Sequence, residues 1–290
     1  MSKDIFSGLE YLGFNDIGNV DLYNKKSENE EESPKQESEA DNEKLLLYDK
    51  KVTCPICENV FKAKAVKASA YRIIKRDSDF FIRYSLVNPY FYDVWVCNKC
   101  GYSSIKSDFY KIRGHQIDAI NEKIRPKWHS RTYPDVYDVN IAIERYKLSL
   151  LSYYAISAKA SQKAMNCLKI AWMYRLLNDS DNELNFIKNA LEGFNQAYSN
   201  EDFPIYGMDR YTFVYLIGEL NRRLGNTDEA LKWFGNVITG RGVPPRIKDL
   251  ARDQKDLITE ILNPREKDDI DNFEEENNSK KKGFLSKFFK

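Results

Sequence analysis

Histidine is nearly missing from this chain: among 290 residues only His115 and His129 occur. Sites that use imidazole as a base, or a histidine-rich metal shell, have little to draw on. No Gly-rich phosphate loop, nucleophile elbow or His-Glu-x-x-His pair occurs either, so the short signatures of nucleotide, acyl-transfer and metallopeptidase chemistry are absent. There is no run of about 18 apolar residues to cross a bilayer. Met1-Ser2-Lys3-Asp4 leads into polar sequence without a leader's apolar stretch, and a cytoplasmic location is expected. Net charge is only +1, which excludes a chain that is polyelectrolyte throughout. The five cysteines fit a reducing compartment rather than a disulfide framework.

Four of those cysteines organise the reading. Cys54-Pro55-Ile56-Cys57 and Cys97-Asn98-Lys99-Cys100-Gly101 are two C-x-x-C pairs separated by 39 residues. Each pair places two thiolates on one tight turn, and two facing turns make a tetrahedral sulfur cage of the kind Zn²⁺ prefers, with no open position for substrate. The expected cofactor is structural Zn²⁺, with Cys54, Cys57, Cys97 and Cys100 as ligands. Pro55 stiffens the first turn and Gly101 frees the backbone behind the second. The separation is about twice the usual 15–20 residues, a lengthening that costs little closure entropy. Cys167 falls inside a helical pattern and reads as an ordinary buried thiol.

Charge divides the chain. Residues 1–50 carry 6 basic and 13 acidic residues, and residues 51–135 carry 16 and 8. Residues 1–44 read as a mostly disordered acidic segment, because Ser27 to Asp41 offers almost nothing to pack. Within it, residues 4–14 form a short apolar island, either a docking motif or a frayed end. Residues 45–134 read as a zinc-ribbon-like module: strand-like alternation follows the first knuckle at Val60–Val66, and Ser69–Lys75 and Val87–Val96 read as further strands. Asp77-Ser78-Asp79 signals a turn, and Asp77, Asp79 and Asp93 are expected as turn residues rather than a catalytic pair. Ser107–Arg125 reads as a helix ended by Pro126.

The order Cys-Pro-x-Cys, Asp79-Phe80, Tyr84, Asn88-Pro89, Tyr92-Asp93-Val94, Cys97-x-x-Cys100-Gly101-Tyr102 and Phe109 resembles a bacterial family of uncharacterised cytosolic proteins, domain of unknown function 2225. The resemblance runs from about Lys51 to the last helices. It implies a zinc-ribbon-like front end followed by tetratricopeptide-like helices, and it implies no known reaction.

Residues 135–263 carry helical periodicity in six stretches: near 139–154, 161–177, 183–198, 207–224, 227–239 and 247–262. Val214, Ile217, Gly218, Leu224, Gly225, Ala230, Phe234 and Val237 fall at tetratricopeptide positions, with Asn221 where that motif wants an aromatic. The fold class expected is α+β, a small four-Cys β module followed by an all-α tetratricopeptide-like array. Residues 264–290 read as a disordered tail whose basic, aromatic end (Gly283–Lys290) suits weak contact with an anionic membrane surface, a solvated tail or a protein groove.

These features favour a non-catalytic zinc-containing adaptor, binding a protein or peptide partner through the concave face of its helices. Tyr146, Tyr153, Tyr174, Tyr211, Tyr215 and Arg222 are the sort of residues that would line such a groove, with several of them expected in the core. The alternative is single-stranded nucleic-acid binding by the basic, aromatic zinc module, through Tyr71, Arg72, Lys75, Arg76, Phe80, Arg83 and Tyr84.

Overall fold

A computed structural model of the chain describes residues 43–263. The apolar island at 4–14, the acidic stretch at 27–41 and the tail from 264 lie outside the described residues.

Three antiparallel two-stranded sheets come first. β1 (Leu47–Thr53) pairs with β2 (Val60–Val66), β3 (Ile73–Arg76) with β4 (Ile82–Tyr84), and β5 (Val94–Val96) with β6 (Ser103–Ile105). Isolated two-stranded hairpins are marginal in water, and each of these leans on something else. Two departures from the strand reading have local causes. In the Ser69–Lys75 stretch, a 3₁₀ turn occupies Ala68–Ala70 and pairing begins only at Ile73. In the Val87–Val96 stretch, the Asn88 side chain accepts a hydrogen bond from the Tyr90 amide and Pro89 takes the first helical position, making a 3₁₀ turn over Pro89–Tyr92. The strand is thereby reduced to three residues.

Among the described residues, seven α-helices follow the strands. α1 (Gly114–Lys123) starts later than the periodicity predicts. Residues ahead of it are held as turns by two buried anchors: Phe109, whose carbonyl accepts from the Tyr102 hydroxyl, and Asp108, which accepts from the Tyr153 hydroxyl at 3.0 Å. α2 (Val139–Ala155), α3 (Ala160–Leu176), α4 (Ser180–Asn200), α5 (Arg210–Arg223), α6 (Thr227–Thr239) and α7 (Pro245–Leu262) match the periodic stretches to within a few residues. Aspartates cap three of them: Asp138, Asp179 and Asp209 each accept from the backbone amide three residues on.

Successive helices pack on one another, α3 against both α2 and α4, and α6 against α5 and α7. Gly218 permits the α5–α6 approach, since a Cβ there would lie 2.9 Å from the Phe234 ring. At the position where a tetratricopeptide motif carries an aromatic, Asn221 donates to the Ile217 carbonyl and accepts from the Asn226 side chain. A polar link to the turn thus replaces ring packing.

The boundary expected near residue 134 is no break in the core. One cluster of buried side chains runs from Val52 and the cysteines through Tyr146, Trp172 and Phe194 to Leu220. α2 packs directly on β5 and β6, where its Ser152 hydroxyl accepts from the Ser103 amide.

Candidate metal centre

Each C-x-x-C pair sits in the turn of a hairpin, the first between β1 and β2, the second between β5 and β6. The two turns close with one hydrogen-bond pattern. The Cys54 carbonyl accepts from the Glu58 amide and the Cys54 amide donates to Asn59; in the second turn, Cys97 makes the same two bonds with Gly101 and Tyr102. Both fourth-after positions are left-handed, Glu58 at φ +56° and Gly101 at φ +79°. Glycine is required at the second because a Cβ would meet the Trp128 ring at 2.7 Å. That indole covers the turn and donates to the Asn98 carbonyl at 2.9 Å.

The hairpins bring four sulfurs together, all within 4.8 Å of one another. Cys54 Sγ lies 3.6 Å from Cys100 Sγ, and Cys57 Sγ lies 3.6 Å from Cys97 Sγ. These separations are far beyond a disulfide bond of about 2.05 Å. They match the roughly 3.8 Å edge of a tetrahedron with metal–sulfur bonds of about 2.3 Å. Cys54, Cys97 and Cys100 are buried and Cys57 half-buried. The Ile56 amide points at Cys54 Sγ at 3.4 Å, a contact that favours thiolate. The Cys97 thiol is held below the ordinary thiol range. Donation from Cys100 and then Cys54 holds it low, while Cys54, Cys97 and burial push Cys100 up. The four residues can therefore hold one ion in an all-sulfur set suited to zinc or a single iron.

Neither histidine joins this group. Both are exposed, and the His129 ring contacts the Lys127 carbonyl. Cys167 is a buried thiol pushed up to about 11 by burial.

The turn aspartates do more than the sequence reading gave them. Asp77 does close the β3–β4 turn, yet Asp79 is 0 % exposed and accepts from Arg175 at 2.6 and 3.0 Å and from the Trp172 indole at 3.0 Å. Arg175 also meets Asp77 and Glu183, and Arg83 forks onto Asp77. Arg222 and Arg223 both pair with the buried Glu219, which accepts from the Ser78 hydroxyl at 2.6 Å. Four carboxylates thus face four guanidinium groups across the contact between the β3–β4 turn and helices α3–α5. Burial pushes the Asp79 carboxyl up, and the hydrogen bonds and charge of Arg175 with the charge of Arg223 more than offset this, leaving it below the ordinary range. Asp93, likewise buried, contacts Lys169 and Lys106 and is also held low.

Of the tyrosines named for a groove, the core takes four, and Tyr211 is half-buried. Tyr146, Tyr153, Tyr174 and Tyr215 are buried, and three of their hydroxyls reach inward: Tyr146 to the Tyr90 carbonyl, Tyr153 to Asp108, Tyr215 to the Ser78 carbonyl. Arg222 is taken up by Glu219. A tyrosine on a helix looks the same in sequence whether its ring faces core or solvent, and only the distant partners decide.

No helix among the described residues is long and apolar enough to cross a membrane. No curated protein and no solved structure matches the chain. A family does, over residues 47–258, from β1 into the last helix, and its range holds both knuckles, the turn aspartates and Arg175. The chain belongs to the bacterial family described as "Uncharacterized protein conserved in bacteria (DUF2225)".

Proposed function

We propose that the protein is a non-catalytic adaptor whose β hairpins are fixed by one structural Zn²⁺ on Cys54, Cys57, Cys97 and Cys100, and whose helical part binds a protein or peptide. Four-sulfur coordination leaves an ion no site for substrate. The binding reading is carried by the outer side of α2. There Leu151 is 51 % and Tyr154 78 % exposed, beside the half-buried Leu148. Leu148, Leu151 and Lys147 border a shallow depression of about 420 Å³ with Asn140, Ile143 and Glu144. A row of apolar side chains that folding leaves uncovered is what a partner helix or peptide would bury.

Two measurements test this. Protein purified without chelator should carry one zinc per chain, and Cys97→Ser should lose both the metal and cooperative unfolding; stoichiometric iron, or full stability of the variant, overturns the metal assignment. In affinity capture from a bacterial lysate, the full chain should retain a protein that the folded Leu151→Glu/Tyr154→Glu variant does not. Equal capture by both removes the α2 surface.

A second reading has its own observation. Tyr71, Arg72, Lys75 and Arg76 are all exposed on and beside β3, with Tyr71 edge-on to Tyr84. Cations beside rings suit single-stranded backbone contact with base stacking. Phe80 and Arg83 drop out of that set, the one packed on Tyr215 and the other held by Asp77. Anisotropy of labelled single-stranded RNA across a salt series decides it, because phosphate contacts give a steep salt slope.

A further inference from the structure

Arg145 on α2 is 5 % exposed, and its surroundings do not satisfy it. Nη2 donates to the Val94 carbonyl at 2.6 Å, and the guanidinium lies between the rings of Tyr133 (4.8 Å) and Tyr137 (4.6 Å). Nε has no hydrogen-bond partner. Among the described residues no carboxylate forms an ion pair with it, since its neighbour Glu144 is engaged by Arg131 at 2.9 Å and by the Tyr133 hydroxyl at 2.8 Å. Burial accordingly pushes the Arg145 pKa down. A buried cation without a counter-charge is costly, and proteins rarely keep one unless something completes it.

Arg145 lines a cavity of about 340 Å³ between β2, the second knuckle and the 131–137 segment. Lys62, Lys64 and Arg131 line it too, and Asp49 is the one carboxylate on its wall. Lys64 lies 2.9 Å from both Asp49 and Asp135, Lys62 is 3.8 Å from Asp49, and Arg131 pairs with Glu144. With Asp135 and Glu144 counted, four cations meet three carboxylates, so the net excess is the single charge of Arg145, and the cavity's size is that of a small-molecule site.

We propose that this cavity binds a phosphate monoester, its oxyanion held by Lys62, Lys64 and Arg131 and by the charge of Arg145. Phosphate is favoured over a single carboxylate because its several oxygens can be shared between Arg145 and cations that already bridge Asp49, Asp135 and Glu144, and a guanidinium fork suits them. The electron-rich tyrosine faces hold the Arg145 plane in place and delocalise its charge without neutralising it. The site is independent of which metal the cysteines hold and of any protein partner.

Inorganic phosphate is the probe, titrated calorimetrically into the full-chain zinc-loaded protein against sodium chloride at matched ionic strength. Saturable one-site binding is expected, with a melting temperature that rises with phosphate but not with chloride. Lys62→Ala/Arg131→Ala, both positions being exposed, should fold normally and bind at least about tenfold more weakly. Arg145→Met should lose the phosphate response, and removing an unpaired buried charge should leave its own melting temperature no lower than that of the parent. Absence of saturable binding, unchanged affinity in the double variant, or saturation by a single-stranded oligonucleotide but not by phosphate would overturn the assignment.

Discussion

Asp79→Asn is the substitution from which the fold has most to lose. The wild-type carboxylate is fully buried and receives Arg175 at 2.6 and 3.0 Å, Trp172 at 3.0 Å and the Phe81 amide at 3.5 Å, with Arg223 Nε 3.6 Å away. The amide removes the negative charge and turns an NH₂ group toward guanidinium donors. Breaking one partner of a buried ion pair costs about 3–5 kcal/mol. Arg175 keeps Asp77 and Glu183, which places the expected loss at about 3 kcal/mol, the lower end of that range. At roughly 2–4 °C per kcal/mol for a unit of this size, the melting temperature should fall by about 6–12 °C. Urea unfolding followed by tryptophan fluorescence gives the free energy, and Trp172 itself donates to the deleted charge. The double variant Asp79→Leu/Arg175→Met should lose less than the sum of its two single changes, although Asp77 and Glu183 also lose Arg175. A loss under about 1 kcal/mol, or additive single effects, would show that the network does not couple the β3–β4 turn to the helices.

Other outcomes follow from the same geometry. Gly101→Ala should destabilise by more than about 1 kcal/mol, since its Cβ meets Trp128 at 2.7 Å and φ is +79°. Glu58→Gly, at the equivalent place in the first knuckle and exposed, should be neutral or stabilising by about 0.5 kcal/mol because it relieves a left-handed glutamate; equal losses from both would refute the equivalence. Asp77, Asp79 and Asp93 all have folded-state pKa values below the ordinary one. Their contribution is therefore complete above the unfolded value near about 4 and lost as pH falls through the folded values. Urea midpoints should be insensitive to these groups from pH 7 to about 5 and drop below about 4, with a shallower acid limb in Asp79→Asn. An identical limb in the variant would exclude the carboxylate as its source.

What could be read from the chain was local. A C-x-x-C turn is defined within a few residues, so the four thiols were identifiable before their neighbours were known. The helices were legible through their 3.6-residue period, and Asp138, Asp179 and Asp209 stand where caps are expected. Apart from the two stretches where a local 3₁₀ turn replaces strand, the failures concern partners far off in sequence. Nothing near Asp79 announces Arg175, 96 residues away, or Ser78's bond to Glu219, 141 residues away. The same holds for Arg145, which sits among ordinary helix formers and reveals its lack of a counter-charge only in three dimensions. Nor does the sequence show that one core passes through residue 134. Cutting the chain there would leave Asp79, Asp93 and Val94 facing water without Arg175, Lys169 and Arg145.

The matching of the two cysteine hairpins bears on how the protein assembles. Each closes through bonds between residues at most five apart, so each can form early in folding and present two thiols without waiting for the other. An ion captured by one hairpin would then act as a tether, converting the search across 39 intervening residues into an encounter held at high local concentration. Metal supply during synthesis would in that case set the rate at which the front of the molecule is completed, well before it contributes to the stability of the finished fold.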